Sequence, residues 1–133
     1  MFKLTKIIIT LLLALFVFIN ELLAKENSIA VFVYHRFGEN NYPSTNIRMP
    51  QFKKHLDELI KNNYNVVSTE TIIDALQNNK NLPEKTVAIT IDDAFFSIYK
   101  KAWPILKEKK LPFTIFVSTG PVNSNSKNYM NKN

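Results

Sequence analysis

"TVAITIDDAFFSIYKKAWPILKEKKLPFTIFV", residues 86–117, decides the fold of this 133-residue chain. It opens on a β-branched, apolar run from Thr86 to Asp92, as expected of a strand buried on both faces. Two adjacent aspartates, Asp92 and Asp93, end that run. From Phe96 to Lys110 apolar residues return at helical spacing, and Pro104 predicts either a kink or a helix whose first turn starts nearer Trp103. "PFTIFV", residues 112–117, then reads as another strand. Strand, helix and strand in this order imply parallel strands joined by a crossover.

The same alternation extends toward the amino terminus. "SIAVFVYH", residues 28–35, lacks strict alternation and predicts a strand buried on both faces. "RFGENNYPSTNIR" is punctuated as a loop by Gly38, Pro43 and asparagines. Between Pro50 and Asn62 the apolar residues Phe52, Leu56, Leu59 and Ile60 recur at helical spacing, with proline suited to the first turn. "YNVVS" predicts a short strand at Val66 and Val67. Ser68 or Thr69 can cap a second helix carrying Ile72, Ile73 and Leu76. Beyond Gly120, "PVNSNSKNYMNKN" has no periodicity and reads as loop or a frayed end. The expected class is α/β, built of parallel βα repeats in an open sheet or part of a (β/α) barrel.

The first residues read differently. "MFKLTK" is a short basic start, Ile7 to Ile19 an apolar core, and "LLA" ends on the small residue Ala24, the layout of a secretory signal peptide over residues 1–24. As a helix the apolar core measures about 20 Å, short of a hydrocarbon layer of about 30 Å. Export with signal cleavage after Ala24 is therefore expected ahead of the alternative of a retained anchor, leaving residues 25–133 as one domain without a stable membrane span. The chain has no cysteine, so disulfides and a lipid-bearing cysteine are excluded. The net charge of +6 comes from basic residues lying singly or in short clusters between aspartates, glutamates and asparagines. No aromatic-interleaved arginine patch is present, and nucleic acid is not an expected partner. Two glycines, Gly38 and Gly120, are too few for a phosphate-cradling or dinucleotide loop.

In parallel α/β folds the functional face lies at the carboxyl ends of the strands. Tyr34 and His35 end the first strand, and Asp92 and Asp93 end the third. Neighbouring strand residues point to opposite faces, so both aspartates reach one site only if the chain is already turning at Asp93. A divalent cation on one carboxylate would offset the charge of the other and leave it free as a base. The plainer alternative is a helix cap beside a solvated partner. His55 borders the buried helix face and reads as structural.

"TIDDAFFSIYKKAWPILKEKKLPFTIFV" resembles the first motif of the polysaccharide deacetylases, the NodB-homology or carbohydrate esterase family 4 proteins. In these a T-F-D-D-G signature precedes a helix and an I-P-x-T-x-F strand. "YHRF", residues 34–37, and "LIKNNYNVVS", residues 59–68, are similar to one branch of the same family. The resemblance covers roughly residues 29–120. It implies a (β/α)7 deacetylase-type barrel, here partial, and hydrolysis of N-acetyl groups on envelope or extracellular polysaccharide. It further implies Asp92 as catalytic base, Asp93 as ligand of a divalent metal, usually zinc, and His35 with Tyr34 as substrate-side or auxiliary residues.

Two features depart from the family pattern. Ala94 replaces the glycine after the aspartates, and an alanine takes a positive φ only at a cost, so the loop is expected to differ slightly. The family's paired-histidine metal motif is missing, since the only histidines are His35 and His55. A truncated deacetylase domain is the expected reading. A non-catalytic exported glycan- or envelope-binding protein is the alternative, and an unrelated exported α/β protein with Asp92 as nucleophile is a third.

Overall fold

A computed structural model describes residues 2–23, 29–124 and 126–131. Its elements in chain order are α1 (Phe2–Leu23), β1 (Ala30–Tyr34), β2 (Arg36–Phe37), β3 (Asn46–Ile47), α2 (Met49–Lys61), β4 (Asn65–Val67), α3 (Thr69–Gln77) and β5 (Thr86–Asp92). A π-helical turn, Ile98–Ala102, leads into α4 (Trp103–Glu108), followed by β6 (Thr114–Phe116) and α5 (Thr119–Asn123). The side chains from Lys6 to Phe16 on α1 are exposed, and among the described residues no helix is long and apolar enough to cross a membrane. Ala24, the expected cleavage position, lies outside the described residues.

Every pairing in the main sheet is parallel, and β5 is its centre. β1 runs along one edge of β5, with Ala30 opposite Val87 and Tyr34 opposite Ile91. The other edge is shared: β4 pairs with Thr86 to Ala88, and β6 with Thr90 to Asp92. Central placement explains why β5 is buried from Thr86 to Ile91. The expectation of two-sided burial fails for β1, where Val31 and Val33 are half exposed. Their composition is that of a covered strand, but they face a cavity on the open side of the sheet.

Below the sheet, α2 supplies Phe52, Leu56 and Leu59 to a core that also holds Phe37, Ile89, Ile91, Ile98 and Leu106. Pro50 sits in the first turn of α2, as its missing N–H allows. Ile60 is not part of that face and is 47% exposed. In α3 the Ser68 hydroxyl caps the helix by accepting from the Thr71 N–H at 3.2 Å. Only Ile72 and Ala75 of this helix are buried, whereas Ile73 and Leu76 are exposed. A nine-residue helix touching the sheet along one narrow strip buries one apolar row, so helical spacing alone counted too many residues.

Pro104 falls in the first turn of α4 as anticipated. Proline cannot donate to the preceding turn, and the break is taken up by the π-turn, in which the Trp103 N–H reaches back to the Ile98 carbonyl. Two stretches expected to be loop contain structure. β2 and β3 pair over two residues each, too briefly to leave a sequence period. Past Gly120, α5 forms, and the chain then returns to the turn after β5. There Phe95 bridges Tyr129, the Met130 N–H donates to the Ala94 carbonyl at 2.9 Å and the Phe96 N–H to the Asn128 carbonyl at 2.9 Å. Backbone pairing, which needs no apolar pattern, orders this polar segment.

Candidate active site

β1 and β5 are parallel and in register, so the residues leaving their carboxyl ends become neighbours. His35 Nε2 lies 3.7 Å from Asp92 Oδ2, and both side chains are about one-third exposed. Asp92 and Asp93 line one cavity of about 680 Å3, walled by Val31, Val33, Ile72, Phe116 and Ser118 among others. The chain is indeed already turning: Asp93 has φ +74° and Ala94 φ +60°. That turn lets consecutive carboxylates share a cavity that a straight strand would deny to one of them.

Ala94 adopts the positive φ that its side chain disfavours, so the loop does not differ to avoid it. Each such non-glycine residue costs about 1–2 kcal/mol and persists only where surrounding contacts over-determine it. Those contacts are present. The Asp93 N–H donates to the Phe116 carbonyl at 2.9 Å, Ala94 is buried, and its carbonyl accepts from Met130. Ser118 Oγ donates to Asp93 Oδ1 at 2.9 Å. Neither aspartate caps the following helical turn, whose N-cap is Ser97. The capping alternative is therefore not what the structure uses.

Tyr34 is not in the Asp92–Asp93 cavity. It lines a separate cleft of about 360 Å3 with His35, Asn46 and Gln51, but the residue itself is buried. Its hydroxyl shares a 3.2 Å hydrogen bond with His55 Nδ1, and its ring lies edge-on to Phe52. Burial pushes this hydroxyl above the usual tyrosine value of 10.0. The folded state thus favours the neutral phenol. Its contribution to stability is whole below pH 10 and is lost as pH rises through the higher folded value. Tyr34→Phe should lose about 0.5–1.5 kcal/mol at pH 7, the net worth of one hydrogen bond. Urea titrations at pH 7 and above pH 10 should show this deficit shrinking at the alkaline end. A deficit that grows there would mean that the phenol is not desolvated.

Two contributors were missed in the sequence. Ser118 lies two residues beyond the carboxyl end of β6 and could have been found by applying the carboxyl-end rule to that strand as well. Arg36 is buried, with its guanidinium carbon 3.4 Å from the Phe95 ring centroid and 3.8 Å from that of Tyr42, and with Nη1 2.8 Å from Glu39 Oε2. No sequence pattern marks such a stack.

A catalytic zinc takes three protein ligands. Among the described residues no group of three His, Cys, Asp or Glu side chains converges to hold a metal. Asp93, Asp92 and His35 therefore do not by themselves fit the metal centre that the family resemblance implies.

Comparison with known proteins adds the family. Residues 79–132 match the model of the polysaccharide deacetylase family, a segment that contains both aspartates, the turn and the returning tail. Likeness to proteins named polysaccharide deacetylases extends over most of the chain, as for part of such a domain. The poly-beta-1,6-N-acetyl-D-glucosamine N-deacetylase of Staphylococcus aureus is 27% identical over 117 residues, covering 77% of this chain and 40% of that protein. IcaB from Ammonifex degensii superposes with a TM-score of 0.66 at 33% identity, covering 72% of this chain and 40% of that one. The Streptococcus pyogenes deacetylase PplD, solved with acetate, gives 0.67 at 28% identity, covering 77% and 48%. These neighbours share the α/β deacetylase fold, here represented in part. This chain spans less than half the length of each.

Proposed function

We propose that this chain supplies the aspartate-bearing part of a site that hydrolyses N-acetyl groups on a glucosamine-type polysaccharide outside the cytoplasm. The observation that carries this reading is the convergence of Asp92, Asp93 and His35 on one face, with the two carboxylates opening onto a cavity large enough for a sugar residue. The named substrate of the Staphylococcus aureus relative and the acetate bound to the Streptococcus pyogenes relative support the substrate class and product.

The residues present have definable parts in such a reaction. Asp92 accepts a proton from the water that attacks the acetamide carbonyl, so a C–O bond forms as the O–H bond breaks. The C–N bond then breaks, and the proton passes to the departing nitrogen, with His35 close enough to Asp92 to share in that transfer. Acetate and a free amine result. Asp93, oriented by Ser118, is the candidate ligand for the divalent metal, zinc in the family pattern, and among the described residues it has too few partners to hold that metal. Residues 1–24 would act as the export signal that brings this site to the polymer.

The test is a chimaera in which residues 29–131 replace their counterpart in the Staphylococcus aureus enzyme, assayed for acetate release from poly-beta-1,6-N-acetyl-D-glucosamine. Release at a rate within tenfold of the parent supports the reading. A folded chimaera that binds the polymer without releasing acetate would favour a glycan-binding role.

A further inference from the structure

A buried cation lies between the two loops of the site, and the chemistry above does not use it. Arg36 directly follows His35, and Phe95 stands two residues after Asp93. The guanidinium fills the space between the Phe95 and Tyr42 rings and is closed at one edge by Glu39. Glu39 is itself anchored, its N–H donating to Asn46 Oδ1 at 2.7 Å. Two further contacts tie the same segments together: the Phe37 N–H donates to Ser97 Oγ at 3.2 Å, and Lys101 Nζ to the Gly38 carbonyl at 2.7 Å. Of the three, the Arg36 stack is closest in sequence to the reacting groups on both sides.

We propose that Arg36 is a positioning residue, clamping Phe95 so that the strained Asp93–Ala94 turn stays formed and the Asp92 carboxylate stays beside His35. Two consecutive non-glycine residues at positive φ relax once their restraints go. Phe95 is the first residue beyond that turn, and one of its faces is held by Arg36 while Tyr129 packs at 4.7 Å. The role requires arginine. A planar guanidinium can stack on two rings and pair with a carboxylate at its edge, whereas a lysine ammonium carries the same charge without a plane to stack. The functional meaning of the clamp rests on the proposed deacetylase reading, but the clamp itself is measurable without turnover.

The experiment is residue-resolved amide hydrogen exchange on the full chain, with Arg36→Lys, Tyr42→Leu and the double variant Arg36→Lys with Ala94→Gly. In Arg36→Lys the Asp93 and Met130 amides, which donate to Phe116 and Ala94, should exchange at least tenfold faster, while the Ile89 amide in the centre of β5 is unchanged. The ring-proton resonance of His35 should shift as its neighbour moves. Glycine holds a positive φ without help, so Ala94→Gly should return the two loop amides toward wild-type rates. Tyr42 is exposed, so Tyr42→Leu should leave the fold in place and move the same amides in the same direction by a smaller factor, and it carries the test if Arg36→Lys does not fold. Unchanged loop exchange would overturn the proposal. So would equal acceleration at Ile89, which is the mark of a merely structural residue, or failure of Ala94→Gly to restore protection.

Discussion

Asp92→Asn in the chimaeric enzyme is expected to lower kcat for acetate release by about 10²–10⁴-fold, the range supplied by a positioned general base. The asparagine keeps the size of the side chain, so β5, its pairing with Phe116 and the cavity wall stay in place. What is lost is the ability to accept a proton from water. Asp93 cannot take over. Its backbone is fixed at φ +74° by the hydrogen bond to Phe116, and one of its oxygens is engaged by Ser118. A group acting on the attacking water contributes in the transition state more than in the bound ground state, so KM should change little. Acetate release and polymer binding measured on the same preparation separate the two parameters. An Asp92→Asn enzyme with wild-type kcat would remove Asp92 from the chemistry and leave His35 as the base.

The parts of this molecule that could be read from its sequence are those governed by periodicity and topology. β5 was legible from Thr86 to Asp92 because a central strand is dominated by apolar and β-branched residues, and α2 because its proline and its 3.6-residue spacing agree. The meeting of His35 with Asp92 followed from one rule, that parallel strands deliver their carboxyl ends to one face. The failures have a common physical cause. Ile60, Ile73 and Leu76 are apolar and correctly spaced, yet what buries a helix residue is the width of the surface opposite it, which the helix's own sequence does not state. Ala94 was expected to avoid positive φ, but the tail through Tyr129 and Met130 holds it there from 35 residues away. Arg36 reads as one more loop cation until Tyr42, Phe95 and Glu39 are brought around it. Each miss concerns a residue whose state depends on surfaces or partners that its own local sequence pattern does not state.

Phe52→Ala tests the packing beneath the site and should cost about 3–5 kcal/mol, as for other fully buried phenylalanines truncated in a core. Phe52 has no exposed surface, and its ring sits edge-on to Tyr34 at 5.3 Å and to Phe37 at 4.8 Å. Removing it unseats α2 from the segment that carries Tyr34, His35 and Arg36, so site and core are weakened together. A domain of this size has a total stability of about 5–15 kcal/mol, and each kilocalorie corresponds to about 4–8 °C in Tm. The variant should therefore melt at least about 12 °C below the wild type or fail to fold at the growth temperature. Leu76→Ala is the matched control, because it removes an equally apolar, helically spaced residue that is 67% exposed. Its cost should stay within about 0.5 kcal/mol. Equal losses in the two variants would mean that α3 packs through Leu76 in solution and that the burial pattern of both helices is wrong. A loss below about 1 kcal/mol for Phe52→Ala would show that α2 does not dock through this ring, and the placement of His35 would then need another support.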